Sequence, residues 1–456
     1  KDIRNDIFKK AQEFSHTEYD EFGVSSMITR TTNDPFVILQ FTNTLLKMAL
    51  ITPVMFTISL VMILKTSLSL SLVLAVVIPI IILGVILIAK TSEPLSEKLQ
   101  KRLDKLNRIS RENLTGIRVI RAFGNEKYEE KRFDETNESY AEVAKKLNKL
   151  MAISQPLFFF LLNIAIIVIF WISSKMINVG TLQVGQLVAF IEYLFHAMFS
   201  IMLFSMVFVM YPKAQVSANR IMEVLNTEPI IKSPKNGIKD TENKGTIEFE
   251  NVSFTYPNGE EPVIKDVSFS GKKGEVIAFI GSTGSGKSTL INLIPRFYDV
   301  TKGSIKIDGV DVRDYDLKYL RKKIGFIPQK TLLFTGSIAN NIKFGKKDAE
   351  YKEVEDSAKI AQAYEFISNK PNKFDEIITE GGSNVSGGQK QRLSIARAIV
   401  RKPDIYIFDD SFSALDFKTD AILRKELRAE TKDAIVLIVA QRIGAIMDAD
   451  KIIVLN

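Results

Sequence analysis

The stretch VIAFIGSTGSGKSTLINLI, residues 276–294, combines an apolar run, a glycine-rich loop and the beginning of a helix. Gly281, Gly286, Lys287 and Ser288 have the spacing of a phosphate-binding loop (P-loop). Glycines let successive backbone N–H groups converge on phosphate oxygens, and the helix dipole adds its positive end. Because an apolar strand and a helix flank the loop, a chance glycine-rich turn explains it poorly. The stretch therefore predicts an α/β domain that binds a nucleotide.

The loop residues have separate expected roles. Lys287 is expected to reach the β- and γ-phosphates of ATP, and the Ser288 hydroxyl is expected to bind Mg²⁺. The residues predicted to hold ATP here are Gly281, Ser282, Thr283, Gly284, Ser285, Gly286, Lys287, Ser288 and Thr289.

Two further stretches indicate the same chemistry. The apolar run IYIF, residues 405–408, precedes Asp409 and predicts a buried parallel strand. Such a strand would deliver Asp409 to the carboxyl edge of the sheet, where it is the expected Mg²⁺ partner. NVSGGQ, residues 384–389, is a second polar glycine turn that begins a helix, and its geometry also suits an anion.

The first half of the chain contains four apolar stretches that predict membrane spans. Residues 66–89 and 151–174 each run for 24 residues without a charge, and a bilayer core requires about 20. Residues 48–64 precede the first stretch and residues 182–211 follow the second, each across a short turn, which makes two hairpins. Four buried helices of a soluble protein are the alternative, but such stretches are hard to bury otherwise.

The distribution of positive charge orients these spans. Residues 90–150, between the hairpins, carry 15 Lys or Arg, whereas each short turn carries a single Lys. The positive-inside rule places this segment in the cytoplasm. At about 1.5 Å per residue, its helices would reach tens of ångströms below the membrane, far enough to contact a cytosolic domain.

Composition excludes several other functions. The formal net charge of +8 invites a nucleic-acid interpretation, but Lys and Arg cluster beside the spans and no recognition module is visible, so no nucleic-acid partner is expected. Without cysteine there is no disulfide and no thiolate metal site. His16 and His196 are the only histidines, too few for a histidine-based metal site.

Together these motifs resemble the ATP-binding cassette (ABC) exporters, in the half-transporter arrangement, over essentially the whole chain. The resemblance implies an all-α helical membrane domain at residues 1–225, a linker at 226–244 and an α/β P-loop nucleotide-binding domain at 245–456. SFTYP places Tyr256 where the family stacks an aromatic ring on adenine. IPQ places Gln329 at the Q-loop, with expected roles in catalysis and in Mg²⁺ binding.

The same resemblance assigns the second glycine turn. VSGGQ, residues 385–389, is the signature motif with Val in place of the usual Leu, and SALD, residues 413–416, is the D-loop. In this family two cassettes dimerise head to tail, so each ATP lies between one chain's P-loop and the other chain's signature. The signature residues expected to contact the partner's ATP are Ser386, Gly387, Gly388 and Gln389.

The resemblance also covers the membrane half. Residues 21–34 look like a first coupling segment and residues 112–126 like a second, both expected to dock on cassettes. Family half-transporters have six spans, and four are visible here. Because the chain also begins at Lys1 without an initiator Met, we expect a fragment that lacks the first two spans and the end of the cassette.

Two positions depart from the family pattern. After the strand that ends in Asp409, the family usually carries Glu, which acts on the attacking water, but this chain has Asp410. After the next strand the family carries a His that contacts the γ-phosphate, but this chain has Gln441. Asp is one methylene shorter than Glu, and Gln does not titrate near neutral pH. A harmless conservative exchange is the alternative for Asp410 alone.

These departures predict one subunit of a heterodimeric multidrug-type exporter in the bacterial cell membrane, with its cassette in the cytoplasm. Its own ATP site would be degenerate, and its signature would serve a second half-transporter that carries the Glu and the His. The substrate would be an amphipathic small molecule taken from the lipid bilayer. An ATP-gated channel or regulator and a slow homodimeric exporter are the alternatives.

Two ionisable residues interrupt the last span. Glu192 and His196 are four residues apart and share one helix face. Ionisable groups inside a membrane span usually face a bundle interior or a water-filled cavity. We predict that Glu192 faces the translocation cavity and favours cationic substrates; a structural pair bonded to a neighbouring helix is the alternative.

Overall fold

A computed structural model describes residues 1–456 except 242–244, 258, 442–443 and 445. Part of the predicted linker, 242–244, and part of the segment after Gln441 therefore lie outside the described residues. The chain divides into two compact units. The first comprises Lys1–Phe8 and Ile28–Asn226, and the second comprises Lys9–Met27 and Thr227–Asn456.

Long helices build the first unit. They are α1 (Asp2–Glu13), α3 (Val24–Thr66), α4 (Leu68–Phe123), α5 (Glu126–Asn178) and α6 (Val184–Asn226); α1 and α3 extend into the second unit. Among the described residues, α3, α4, α5 and the Val184–Phe204 part of α6 are long and apolar enough to cross a membrane. The prediction of four spans is therefore confirmed. Their apolar core includes Ile63, Leu70, Leu162, Ile169, Phe190, Leu194 and Met198.

Polar contacts hold α4 and α5 together where they are furthest from the apolar stretches. The chain turns at Gly124, whose φ of 64° suits glycine. Beside the turn, Arg132 donates to Glu112 at 2.6 Å, and the Asn113 amide donates to Glu129 at 2.9 Å. Residues 112–126, which resemble a coupling segment, thus comprise the end of α4, the turn and the first residue of α5.

The second unit includes a short helix from the N-terminal part of the chain, α2 (His16–Phe22). A capping box starts it, because Ser15 N–H donates to Glu18 at 2.6 Å. Glu18 also accepts from the backbone N–H of Ile230 at 3.0 Å, and the His16 ring lies 4.7 Å from the Phe297 ring. These contacts are made by residues that precede 21–34, the segment that resembles a first coupling segment. Residues 28–34 of that segment lie in the part of α3 that belongs to the first unit.

Two principal sheets form the rest of the second unit. A four-stranded sheet has the order β2-β1-β4-β5. Its strands are β1 (Thr246–Phe254), β2 (Ile264–Lys272), β4 (Lys302–Ile307) and β5 (Val310–Asp311). A five-stranded parallel sheet has the order β11-β3-β10-β9-β6, with β3 (Val276–Gly281), β6 (Ile324–Ile327), β9 (Ile405–Asp409), β10 (Ile435–Val439) and β11 (Lys451–Leu455). The short strands β7 (Gly336–Ser337) and β8 (Ile377–Ile378) pair with each other.

Helices complete this α/β fold. They are α7 (Lys287–Asn292), α8 (Leu317–Lys322), α9 (Ile338–Lys343), α10 (Tyr351–Ile360), α11 (Tyr364–Ser368), α12 (Gly387–Ile399) and α13 (Phe417–Glu430). The predicted fold class, a helical membrane region followed by an α/β nucleotide-binding domain, is confirmed.

The strand register positions the candidate site. β10 lies between β3 and β9, and Val439 pairs with Phe279 on one side and with Asp409 on the other. Every residue of β9 and β10 is buried, as the apolar runs predict. The carboxyl ends of these parallel strands therefore meet at one edge of the sheet, where ligands of such sheets bind.

Candidate nucleotide site

The P-loop connects β3 to α7 with a backbone that requires glycine. Gly284 and Gly286 have φ values of 91° and 86°, which side chains rarely adopt. A Cβ on Gly281 would lie 2.3 Å from the carbonyl oxygen of Leu455. Side chains are therefore disfavoured at Gly284 and Gly286 by the backbone conformation and at Gly281 by close packing.

Lys287, the first residue of α7, turns back into the loop. Its Nζ donates to the carbonyl oxygens of Gly281 at 2.8 Å and Ser282 at 2.6 Å. The residue is 8 % exposed. The ammonium group is thus held inside the loop by two backbone carbonyl oxygens.

Ser288 and Asp409 meet across the sheet edge. The Ser288 hydroxyl donates to Asp409 Oδ1 at 2.8 Å. Burial raises the pKa of Asp409, the Ser288 hydrogen bond opposes that rise, and the neighbouring Asp410 carboxylate adds to it. Burial thus disfavours the ionised form of Asp409, and a cation bound beside it would stabilise that form.

The oxygen donors here suit a hard cation. Ser288 supplies a hydroxyl, Asp409 a carboxylate and Gln329 an amide oxygen, the ligand types that Mg²⁺ prefers. Within the described residues, no group of three or more His, Cys, Asp and Glu could hold a metal. A Mg²⁺ ion here would therefore need phosphate oxygens and water to complete its ligands.

Asp410 and Gln441 line the same cleft. Asp410 Oδ2 accepts from Gln329 Nε2 at 3.4 Å, so the Q-loop amide contacts this carboxylate. Asp410 has a φ of 45°, and its N–H donates to the Val439 carbonyl oxygen at 3.0 Å. The two positions that depart from the family pattern thus line one cleft, and none of the described residues that line it belongs to the P-loop.

Tyr256 lies beside the start of α7. Its hydroxyl is 2.9 Å from the Thr289 hydroxyl, and its ring meets those of Phe254 and Tyr298 edge to face at 4.8 and 5.3 Å. The ring is therefore held in place next to the P-loop helix, and adenine stacking on it stays a prediction.

The signature motif begins α12 with a capping box. Ser386 Oγ accepts from the Gln389 N–H at 3.3 Å, and the Ser386 N–H donates to Gln389 Oε1 at 3.1 Å. A Cβ on Gly388 would lie 3.1 Å from the carbonyl oxygen of Ala414, in the D-loop. Among the described residues, no hydrogen bond joins residues 386–389 to the P-loop of the same chain.

Sequence reasoning missed the connection between the Q-loop and the signature helix. The Thr331 hydroxyl donates to Gln391 Oε1 at 2.6 Å, and Gln391 is 4 % exposed. Further along α12, Arg397 donates to the carbonyl oxygens of Leu332 at 3.0 Å and Asn341 at 2.9 Å. Burial lowers the pKa of Arg397 to about 10. The sequence signal that could have revealed this connection is the presence of polar residues, Gln391 and Arg397, on the buried face of the amphipathic helix α12.

Comparison with known proteins agrees with this geometry. Residues 1–210 match the ABC transporter transmembrane region, and residues 264–413 match the ABC transporter family. The chain is 40% identical over 455 residues to the uncharacterized ABC transporter ATP-binding protein YfiB of Bacillus subtilis, covering 100% of this chain and 79% of that protein. It is 32% identical to the putative multidrug export ATP-binding/permease protein YgaD of Bacillus subtilis, covering 100% of this chain and 78% of that protein.

A solved structure has the same fold. The structure of a bacterial Atm1-family ABC exporter with ATP bound superposes with a TM-score of 0.80 at 25% sequence identity, covering 99% of this chain and 79% of that one. These matches define a class, the membrane transport ATPases. The chain belongs to the ABC transporter family, and it is an exporter half-transporter with a transmembrane region and an ATP-binding domain.

Proposed function

We propose that this half-transporter is the degenerate-site subunit of a heterodimeric exporter. Its own site binds Mg-ATP and turns it over slowly, and its signature motif completes the hydrolytic site of a second half-transporter that carries the Glu and the His. The observation that carries the proposal is that Asp410 and Gln441, the two departures from the family pattern, line a single cleft.

The position of Asp410 argues against efficient hydrolysis. Its backbone is held at the end of β9 by the bond to Val439, and its carbonyl oxygen accepts from the Ser413 hydroxyl at 2.8 Å. Because the backbone is fixed in this way, it does not shift the shorter Asp410 side chain to the position that a Glu carboxylate would reach. A displacement of about 1 Å in catalytic geometry can cost about 100-fold in rate.

Gln441 adds a second deficit. An amide donates and accepts hydrogen bonds, but it does not exchange a proton near neutral pH as imidazole does. The γ-phosphate contact can therefore be kept while the proton-sharing partner is lost. Nucleotide binding is expected to survive both changes.

The residues proposed to bind Mg-ATP follow from the geometry of the P-loop and from the family resemblance. Backbone N–H groups of residues 281–289 and Lys287 hold the phosphates, and Tyr256 stacks on adenine. Ser288, Asp409 and Gln329 would hold Mg²⁺, which would neutralise charge on the phosphate oxygens.

The backbone at Asp410 offers a different explanation for Asp. A φ of 45° is left-handed, and Asp tolerates that region better than longer side chains. On this view Asp410 relieves strain and its site still hydrolyses ATP. The two explanations differ in the activity they assign to this chain's site.

We further infer the setting of the complex. The cationic segment at residues 90–150 supports a cytoplasmic position for the cassette. Relatives from Bacillus and Mycobacterium support a bacterial cell membrane. The similarity to YgaD, a putative multidrug export protein, supports a small-molecule substrate, and we infer that the substrate is amphipathic because it is taken from the lipid bilayer. We also propose domain boundaries at 225 and 245, supported by the end of α6 at Asn226 and the start of β1 at Thr246.

Separate inactivation of the two sites tests the proposal. In the full-length heterodimer, Asp410→Ala is expected to change ATPase activity by less than about twofold, whereas Gln in place of the partner's catalytic Glu lowers it about 100-fold. Equal losses from both substitutions would show two competent sites. Substantial ATPase activity of the full-length chain purified alone would show a homodimer.

A further inference from the structure

Tyr298 belongs to a cluster of aromatic rings beside the predicted position of adenine. Its ring meets the Tyr256 ring edge to face, with centroids 5.3 Å apart and an interplanar angle of 84°. Phe254, the last residue of β1, contacts both rings, at 4.8 Å from Tyr256 and 5.5 Å from Tyr298. Phe254 is buried and Tyr298 is half-buried. The orientation of the Tyr256 ring therefore depends on two neighbouring rings.

The backbone that carries Tyr298 is fixed on both sides. Tyr298 lies between α7 and β4. Arg296 and Asp299 flank this part of the segment and bond to each other, Nε to Oδ1 at 2.7 Å and Nη2 to Oδ2 at 3.0 Å. Arg296 Nη1 also donates to the carbonyl oxygen of Lys232 at 3.1 Å. These bonds restrict the backbone from which the Tyr298 ring projects, so the ring can serve as a firm support for Tyr256.

A ring from the N-terminal part of the chain packs against this cluster. His16, the first residue of α2, lies 4.7 Å from the Phe297 ring and 5.8 Å from the Tyr298 ring. Burial lowers the pKa of His16, the Asp20 carboxylate opposes that shift, and the Arg321 guanidinium adds to it. The imidazole is therefore uncharged near pH 7, and an uncharged imidazole packs against Tyr298 as an aromatic ring.

The contacts form a continuous path from α2 to the P-loop helix. His16 contacts Tyr298, Tyr298 contacts Tyr256, and the Tyr256 hydroxyl lies 2.9 Å from the Thr289 hydroxyl on α7. Stacking on a base requires one face of the aromatic ring to be presented to it. A ring that is held in place before the ligand arrives loses less conformational freedom on binding, which strengthens binding.

We propose that Tyr298 is a positioning residue for ATP, which holds the Tyr256 ring in the orientation that stacks on adenine, and that α2 supports Tyr298 through His16. The inference rests on the proposed stacking of Tyr256 on adenine. It adds a second tyrosine and an N-terminal helix to the determinants of ATP affinity. Tyr298 acts through Tyr256 and contacts no part of the nucleotide itself.

Two ligands that share a triphosphate test the proposal. ATP carries the base, whereas inorganic tripolyphosphate offers only phosphates to the P-loop. The affinity of each is measured on the full-length transporter with Mg²⁺, on ice, by competition against photoreactive azido-ATP. The label is counted on this chain alone, so the result does not depend on whether the partner is a second copy or a different half-transporter.

Substitutions in the path have different expected results. Tyr256→Leu should weaken ATP binding about tenfold, and Tyr298→Leu about three- to fivefold, with tripolyphosphate binding unchanged in both. Tyr298→Phe should keep the ATP affinity, because the ring makes the contacts. In a Tyr256→Leu background, Tyr298→Leu should weaken ATP binding no further, since its effect passes through Tyr256. His16→Leu should weaken ATP binding about twofold and leave tripolyphosphate binding unchanged.

Phe269→Leu is the matched control. Phe269 is a half-buried ring on β2 of the same sheet as Phe254, and it stacks with Phe249 at 4.3 Å. Among the described residues, no ring contact joins Phe269 to Tyr256 or Tyr298. The substitution removes a comparable aromatic contact from the cassette and should leave ATP affinity unchanged.

Several outcomes would overturn the proposal. They are unchanged ATP affinity in Tyr298→Leu, equal losses for ATP and tripolyphosphate, and a further loss when Tyr298→Leu is added to Tyr256→Leu. Unchanged ATP affinity in His16→Leu would overturn the role of α2. If Tyr298→Leu does not assemble, His16→Leu still decides through the same pair of ligands.

Failure of this inference is distinguishable from failure of the proposed function. Unchanged ATP affinity in Tyr256→Leu would overturn the proposed stacking on adenine and this inference with it. An effect of Tyr256→Leu without one of Tyr298→Leu would overturn this inference alone. The measurement needs no ATP turnover, so none of these results changes the roles proposed for Asp410 and Gln441.

Discussion

The backbone N–H of Asp410 donates a 3.0 Å hydrogen bond to the carbonyl oxygen of Val439, the last residue of the neighbouring strand. The bond joins the segment after β9 to the end of β10. Together with the Ser413 contact to the Asp410 carbonyl, it fixes the backbone from which the carboxylate projects. The reach of this side chain is therefore set by its length, and the length is one methylene short of the family's Glu.

Restoring both family residues should restore hydrolysis at this chain's site. Asp410→Glu with Gln441→His is expected to raise its turnover about 10- to 100-fold, because reach and proton sharing return together. The left-handed backbone at residue 410 costs a longer side chain about 1 kcal/mol, which the bond to Val439 opposes. ATPase activity is measured in a heterodimer whose partner carries Gln for its catalytic Glu.

The control for this experiment is Gln441→His alone, which should raise turnover much less than the double substitution. No gain from the double substitution would mean that Asp410 and Gln441 do not limit the site.

Much of this site was predictable because local pattern decides it. The loop spacing at Gly281 and Lys287 and the apolar run before Asp409 predict a strand, a loop and an edge position, and the structure has them. The contact between Gln329 and Asp410 was not predictable, since residues 81 positions apart meet through the order of the strands. The Thr331–Gln391 bond was missed for the same reason.

The signature motif offers a second prediction. Ser386→Ala should lower hydrolysis at the partner's site about 100-fold, because a preorganised donor to the γ-phosphate is removed. Substitution of an N-cap residue also costs about 1 kcal/mol of helix stability, so that effect needs its own control. The heterodimer's ATPase activity is measured for both variants.

Ser337→Ala is the matched control, since Ser337 caps α9 by accepting from the Asn340 N–H at 3.1 Å. It loses the same kind of cap away from the signature motif. Equal losses of activity in Ser386→Ala and Ser337→Ala would assign the effect to stability.

A third prediction concerns the segment that carries Gln441. Arg424 on α13 donates to the Gly444 carbonyl oxygen through Nη1 and to Asp420 through Nη2 at 2.9 Å. Arg424→Ala should therefore speed amide hydrogen exchange in this segment roughly tenfold, since bonds to charged groups contribute about 1.5–3 kcal/mol. Arg428→Ala, an exposed neighbour on α13, should leave the exchange unchanged. The same exchange rates in both variants would contradict this role for Arg424.

Segments that contact other parts of the chain were less predictable than the P-loop. Residues 21–34 resemble a coupling segment, which stays a prediction. Just before it, Ser15 and His16 make contacts within the second unit, and Gly23 ends α2 with a φ of 74°. The sequence shows a Ser and a Glu three residues apart, which predicts a helix start. It does not show which ring His16 contacts, because packing between distant segments depends on the whole fold.

A buried ion pair stabilises the cassette away from the nucleotide site. Lys323 Nζ lies 2.7 Å from Asp308 and 3.2 Å from Asp404, with side-chain exposures of 5% for Lys323 and 1% for Asp308. Asp308 also accepts from the Gly245 N–H at 2.6 Å, which attaches the start of β1 to the pair. Burial opposes the charge of Lys323, but its bond to Asp308 prevails and raises its pKa to about 12.

Lys323→Met should therefore destabilise the cassette by about 3–5 kcal/mol, because it leaves the buried Asp308 carboxylate without its partner. For a domain of this size the thermal midpoint should fall by about 6–20 °C, measured on the full-length protein near pH 7. A folded-state pKa of about 12 exceeds the ordinary value of about 10.4, so the contribution is full below about pH 10 and is lost as pH rises through 12. Lys306→Met is the control, because its pair with Glu250 at 2.8 Å is exposed and should matter little. A Lys323→Met midpoint no lower than that of Lys306→Met would show that the buried pair contributes no more than a surface pair.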